Sequence, residues 1–231
     1  MDRWVAQISR LNYKVKLLLF FVGALAVLFL ANVGYSALNT FSRLNAVEAE
    51  RDQWQRSSDV IQALDLKPGN VVVDLGCGSG YFTLKLSPPV GRDGRVIAED
   101  IRRLPLIFLW FRAVSRREHN VRILLGAPGD PHLPGQVNAV LISNTYHEFT
   151  DAHSILNDVY QALVSAGRLV VIDREPKTSN DDDSNSEHEI SSDQVESDLR
   201  KANFQIISRQ DNFIAQDSYG ETWWRIVAYK P

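Results

Sequence analysis

Val71-Val-Val-Asp-Leu-Gly-Cys-Gly-Ser-Gly-Tyr-Phe-Thr83 decides how the rest of this 231-residue chain is read. Val71 to Leu75 is a short, β-branched apolar run, as expected of a central parallel strand covered on both faces. It follows the turn signal Lys67-Pro68-Gly69. Gly76, Gly78 and Gly80 then let the backbone turn tightly and bring its amides close to a ligand at the start of a helix.

The spacing narrows the ligand. Nicotinamide cofactors use G-x-G-x-x-G and place a pyrophosphate on the loop. Here the glycines alternate and Asp74 stands two residues ahead of the first. That acid can order the loop or accept hydrogen bonds from a cationic amino group, which favours S-adenosylmethionine over a dinucleotide.

Outward from this run, strands are expected at Arg95–Glu99, Val121–Leu125, Val137–Ser143 and Arg168–Asp173, with two more near Phe204–Ser208 and Thr222–Tyr229. Between them helices are expected over Ser79–Leu86, stopping before Pro88-Pro89, over 102–117 and over Asp151–Leu163. A further helix, to about Ala202, opens with the capping box Ser191-Ser-Asp-Gln194. Alternating strands and helices of this kind give a doubly wound, mostly parallel α/β sheet of seven strands. The acidic, polar stretch 178–189 is too poor in apolar residues to pack and is expected to be a mobile loop.

Upstream, Leu17 to Ser42 carries no charge. Its apolar part, residues 17–38, meets the length a helix needs to span a bilayer, so the expected layout is a basic tail and transmembrane anchor over 1–42. A polar helical connector follows over 43–60, and the catalytic domain over 61–231. The alternative is a cleaved signal peptide, with Arg3, Arg10, Lys14 and Lys16 as its basic region and Gly34-Tyr35-Ser36 near the cut. The basic residues ahead of the helix would send the domain outward, whereas the cofactor requires the cytosol. The cofactor is given the greater weight.

Composition excludes several classes. A net charge of -3 with scattered acids and bases gives no basic face for nucleic acid. The single cysteine, Cys77, excludes an internal disulfide framework, a multi-cysteine zinc site and thiol-based arsenic chemistry; no metal site is expected.

Asp100 ends the second strand about twenty residues after the loop, where an acid can chelate both ribose hydroxyls of an adenosine cofactor. Glu99 competes with it, and strand alternation admits only one of the pair to the crevice. Asp130, in Gly126-Ala-Pro-Gly-Asp130 after strand three, is a candidate adenine contact or a turn residue. Asn144-Thr-Tyr-His-Glu-Phe149 follows strand four, where open α/β sheets place ligands. Methyl transfer from a sulfonium is an in-line displacement that needs alignment and dry surroundings, and a base only if the acceptor carries a proton. His147 is the base candidate, with Tyr146 beside it; the alternative is that both only shape the pocket.

These segments, together with Val96-Ile-Ala-Glu-Asp-Ile101 and Gly167-Arg-Leu-Val-Val-Ile172, resemble in this order the class I S-adenosylmethionine-dependent methyltransferases, particularly the small-molecule branch that includes quinone-biosynthesis enzymes. The resemblance spans about residues 51–231. It implies the Rossmann-like methyltransferase fold, a methionine-holding loop over Asp74 to Gly80, a ribose contact at Asp100, an adenine neighbour at Asp130 and Asn144 at the cofactor. The usual Gly-Asp after strand three is Gly126-Ala127 here, so the role of Asp130 depends on a shifted loop. The segment 144–149 is not the Asn-Pro-Pro-aromatic signature of amino-group methylation. A small or lipid-soluble acceptor is expected, and rival readings are a non-catalytic membrane-tethered cofactor-binding module and a nicotinamide-dependent oxidoreductase.

The helix over 102–117 adds a membrane clue. Leu106, Ile107, Phe108, Leu109, Trp110 and Phe111 make it apolar nearly all round, between basic ends. Its second face is expected either at a membrane interface or under the connector.

Overall fold

The structure, a computed structural model, describes residues 12–176 and 189–231. It divides into two units, residues 1–50 and 51–231. The first is the greater part of α1 (Tyr13–Trp54), none of whose residues is buried. Among the described residues α1 is the one helix long and apolar enough, by length and composition, to cross a membrane. The connector expected over 43–60 is divided: α1 continues to Trp54 because nothing between Arg43 and Gln53 breaks a helix, and α2 (Ser57–Ala63) follows. Between them the chain turns at Arg56, whose backbone is left-handed (φ 51°).

The second unit is a seven-stranded sheet. In chain order it carries β1 (Val71–Leu75), α3 (Tyr81–Val90), β2 (Arg95–Asp100), α4 (Arg103–Ser115), β3 (Val121–Leu125), β4 (Val137–Ser143), a single 3-10 turn (Tyr146–Glu148), α5 (Ala152–Ala162), β5 (Leu163–Arg174), α6 (Ser192–Lys201), β6 (Gln205–Ile214) and β7 (Trp223–Tyr229). The strand order is β3-β2-β1-β4-β5-β7-β6. The first five strands run parallel, and β7 is antiparallel to both of its neighbours.

Alternation along β1 divides the core. Val73 and Leu75 join Val140, Ile142, Leu156 and Trp224 on one side of the sheet, while Val72 joins Phe82, Leu86 and Val96 on the other. Most of these side chains are fully buried, each contributing roughly 1.5–3 kcal/mol. The order reverses direction between β1 and β4, which puts the topological switch point at the carboxyl ends of those two strands.

Two local expectations change. The helix after β1 runs through Pro88 and Pro89 rather than stopping before them. Both prolines lie in its last turn, where the Gly91 amide closes on Ser87 and Pro88 and the Asn120 side-chain amide reaches the Ser87 and Gly91 carbonyls. Strand β5 begins at Leu163, ahead of the expected Arg168, and accommodates a register shift and a left-handed Ala166. The capping serine is as expected: the Ser191 hydroxyl accepts from the Gln194 amide. The acidic stretch 178–189 lies, apart from Glu189, outside the described residues.

Candidate functional site

The loops after β1, β2, β3 and β4 enclose two adjoining hollows at the carboxyl edge of the sheet. One, about 210 Å³ and mostly apolar, lies between Leu75, Glu99 to Arg102, Ala127 to Gly129, Pro131 and Phe149. The other, about 310 Å³ and mostly polar, lies between Arg51, Asp74, Gly78, Ser79, Tyr81 and Ser143 to Thr145. Gly76, Arg102, Thr145 and Glu148 border both.

The glycine loop is shaped by sterics. Gly76 has φ +73°, and a Cβ there would overlap the Thr145 side chain. Gly80, at φ +91°, opens α3 directly against Leu109. Gly78 is also left-handed, but its Cβ direction is open. The Thr145 hydroxyl donates to the Gly76 and Ser143 carbonyls, tying the loop to the end of β4.

Three buried carboxylates lie around this loop, and two of them, Asp100 and Glu99, hold it through its amides. Asp74 shares the α3 side of β1 with Val72, and its Oδ2 accepts from the Thr83 hydroxyl at 2.6 Å. Burial pushes its carboxyl up to about 6. Asp100 accepts the Gly78 amide at 2.9 Å through Oδ2 and the Arg102 amide at 2.8 Å through Oδ1. The Arg102 guanidinium also lies 3.3 Å from Oδ1. Glu99 accepts the Gly76 amide at 3.3 Å, and burial pushes it up to about 7. Its other oxygen lies where a Cβ on Gly126 would fall, so any larger residue there would displace the Glu99 carboxylate.

Both Glu99 and Asp100 line the apolar hollow, so alternation does not select one of them. They stand at the strand's end, where the backbone is already turning and adjacent side chains need not point to opposite faces. Asp130 does not line it: its Oδ1 accepts the His132 amide and lies 2.9 Å from His132 Nδ1, and its backbone closes a turn with Ala127. It is the turn residue of this loop. The hollow is instead lined here by Ala127, Pro128, Gly129 and Pro131.

The segment after β4 presents a different face from the one expected. Tyr146–Glu148 is a 3-10 turn, and with three residues per turn positions 145 and 148 fall on one side. Thr145 and Glu148 therefore border the hollows, while Tyr146 and His147 line neither. Tyr146 is in the core, its hydroxyl donating to Asp198 at 3.3 Å, and burial raises its phenol. His147 Nδ1 lies 2.9 Å from Asp173 Oδ1 between two buried side chains, and its amide donates to the same carboxylate. Asn144 does reach the polar hollow, from a left-handed backbone (φ 55°). Its buried Oδ1 and the buried Ser143 hydroxyl find no protein partner among the described residues. Two orphaned polar atoms facing one hollow are what a polar ligand would satisfy.

Sequence reasoning missed Arg51. It comes from the last turn of α1, stacks 4.1 Å over the Tyr81 ring and borders the polar hollow. Its neighbour Asp52 accepts from the Tyr81 hydroxyl and pairs with Lys85, both at 2.7 Å. The signal was a charged cluster just ahead of the domain, which composition alone assigns to a solvated linker.

The ubiE/COQ5 methyltransferase family matches residues 31–182. The chain is 32% identical over 120 residues to the 2-phytyl-1,4-naphtoquinone methyltransferase of Thermosynechococcus vestitus, covering 50% of this chain and 52% of that one. It is 28% identical over 141 residues to the demethylmenaquinone methyltransferase of Lactococcus lactis, covering 60% and 55%. It is 29% identical over 111 residues to the arsenite methyltransferase of Halobacterium salinarum, covering 47% and 28%. The match thus spans about half the length of the two quinone relatives. The fold is similar to that of a SAM-dependent methyltransferase from Aquifex aeolicus, with a TM-score of 0.69 at 20% identity over 82% of this chain and 98% of that one. It is also similar to that of a geranyl diphosphate C-methyltransferase from Streptomyces coelicolor in complex with S-adenosyl-L-homocysteine (0.66, 16%, covering 77% and 76%).

Proposed function

Because the chain belongs to the ubiE/COQ5 methyltransferase family, with S-adenosylmethionine as its cofactor, we propose that it methylates a small, lipid-soluble, quinone-like acceptor while anchored to a membrane by residues 17–38. The observation that carries this reading is the paired hollow at the switch point, polar where the orphaned Asn144 Oδ1 and Ser143 Oγ face it and apolar beyond Glu99.

The residues present suit the cofactor. Asn144 Oδ1 and Ser143 Oγ would accept from the ammonium of its methionine end, with Arg51 opposite as partner for the carboxylate. Asp100 would take the ribose hydroxyls and Gly78 the backbone approach. The apolar wall of Ala127, Pro128 and Phe149 would bracket the adenine. The cofactor supplies an electrophilic methyl on a sulfonium. The chain's own contribution is to align the acceptor and keep water out. If the acceptor carries a proton, Glu148 is the acid at the border of the two hollows and the better-placed base. Tyr146 and His147 then act by holding the turn.

The names of the two quinone relatives support a lipid-soluble acceptor, and so does an apolar α1. Arsenite, the substrate class named for a third relative, is disfavoured because Cys77 is the chain's only thiol and is buried, its pKa raised by burial. The domain is placed on the cytosolic side, where the cofactor is made available. The test is transfer of labelled methyl from S-adenosylmethionine by full-length protein in vesicles loaded with a demethylated naphthoquinol. Label in the organic extract is expected; binding of the cofactor with no label in any lipid-soluble acceptor would favour the non-catalytic module.

A further inference from the structure

Helix α4 packs on β2 and β3 through Leu106, Leu109 and Ala113, with Arg112 turned inward to the Ser79 carbonyl. The opposite face stays apolar. Leu104, Ile107, Phe111 and Val114 succeed one another at three- and four-residue spacings, and each is at least half exposed. Trp110 sits beside them, edge-on to Phe111 at 4.8 Å. A soluble helix would carry charge here.

Charge lies instead at the two ends. Arg102 and Arg103 stand at the start and Arg116 and Arg117 at the finish, all exposed, with exposed Arg122 on the adjoining strand. Apolar side chains and an indole along the middle, with guanidinium groups at both ends, complement a bilayer whose headgroups are anionic. A protein partner would have to supply an apolar patch flanked by acids at both ends of the helix, whereas an anionic bilayer supplies apolar depth and negative charge along its whole surface. The face also has a fixed relation to the site: Ile101 and Arg102, which lead into α4, line the apolar hollow.

We propose that the exposed face of α4 docks the second unit onto an anionic lipid bilayer, with the mouth of the apolar hollow at the membrane surface. This does not depend on the acceptor's identity, and it is separate from anchoring by α1, which acts on a different unit of the chain.

The test uses the full chain, with Cys77→Ala and a single environment-sensitive label at Ile107→Cys, at Phe111→Cys, or at Lys201→Cys on α6 as control, each variant checked for native circular dichroism. The variants are reconstituted in vesicles containing phosphatidylglycerol and doxyl-labelled lipid. Labels at 107 and 111 are expected to be quenched at least twofold more than the label at 201, and to lose most of that difference when phosphatidylcholine replaces phosphatidylglycerol. Equal quenching at 107, 111 and 201 would overturn the proposal. So would shielding at 107 that depends on protein concentration and not on lipid, which would make the face a contact between copies.

Discussion

Asp100 has more to do than an acid that only chelates a ribose. It already holds the Gly78 amide and the Arg102 backbone, so Asp100→Ala loosens the loop along with removing the ribose contact proposed for it. Affinity for S-adenosylmethionine should fall at least tenfold, about 1.4 kcal/mol, by titration calorimetry; unchanged affinity would move the ribose contact to Glu99. The neighbouring carboxylates give a pH dependence. Burial raises Asp74 to about 6 and Glu99 to about 7, so the folded protein holds these protons more tightly than the unfolded chain. Their contribution to stability is therefore fully present below the ordinary values of 3.8 and 4.5 and is lost as the pH rises from there through about 6 and about 7. A cationic cofactor favours the ionised carboxylates, so its affinity should move the other way and tighten over the same window. Calorimetry at several pH values, with Glu99→Gln expected to flatten both trends, measures this. A steeper or unchanged trend in that variant would remove Glu99 from the account. At this scale the sequence was only partly legible. Asp74 and Asn144 border the polar hollow and Asp100 the apolar one, but Arg51 arrives from a segment that reads as linker, and Asp130 is spent on His132.

The elements show why. Strands β1 and β4 begin and end where apolar runs do, because strands buried on both faces need near-continuous apolar sequence. Periodicity carries no information about a single 3-10 turn, and that turn decides whether His147 or Glu148 faces the hollow. The consequence can be tested. His147→Gln should lower thermal stability by about 1–3 kcal/mol, by leaving the buried Asp173 carboxylate short of a partner, yet leave cofactor affinity within twofold. Loss of binding without loss of stability would restore His147 to the site. The glycine loop gives a paired comparison. Both Gly76→Ala and Gly78→Ala put a side chain at positive φ, costing about 1–2 kcal/mol each, but only the first drives a Cβ into Thr145. Gly76→Ala should therefore be the less stable of the two in thermal melts, and equal losses would contradict the packing described.

Across the whole molecule, the α/β sheet was legible from the alternation of runs, and the topological switch point follows from the strand order. The division of the chain was less so, because α1 carries one uninterrupted helical pattern from an apolar to a charged stretch and ends only at Trp54. Membrane anchoring through 17–38 predicts that protein expressed in cells stays in the membrane pellet after carbonate extraction and retains the sequence ahead of Gly34. A mature form beginning just after Ser36 would make the segment a signal peptide instead. The two hollows are proposed to form one S-adenosylmethionine site, which titration calorimetry of the full-length protein with S-adenosylmethionine, its demethylated product and NAD tests. The first two should bind competitively at one site per chain and NAD should not bind; failure of S-adenosylmethionine to bind, or binding of NAD in its place, would rule this site out.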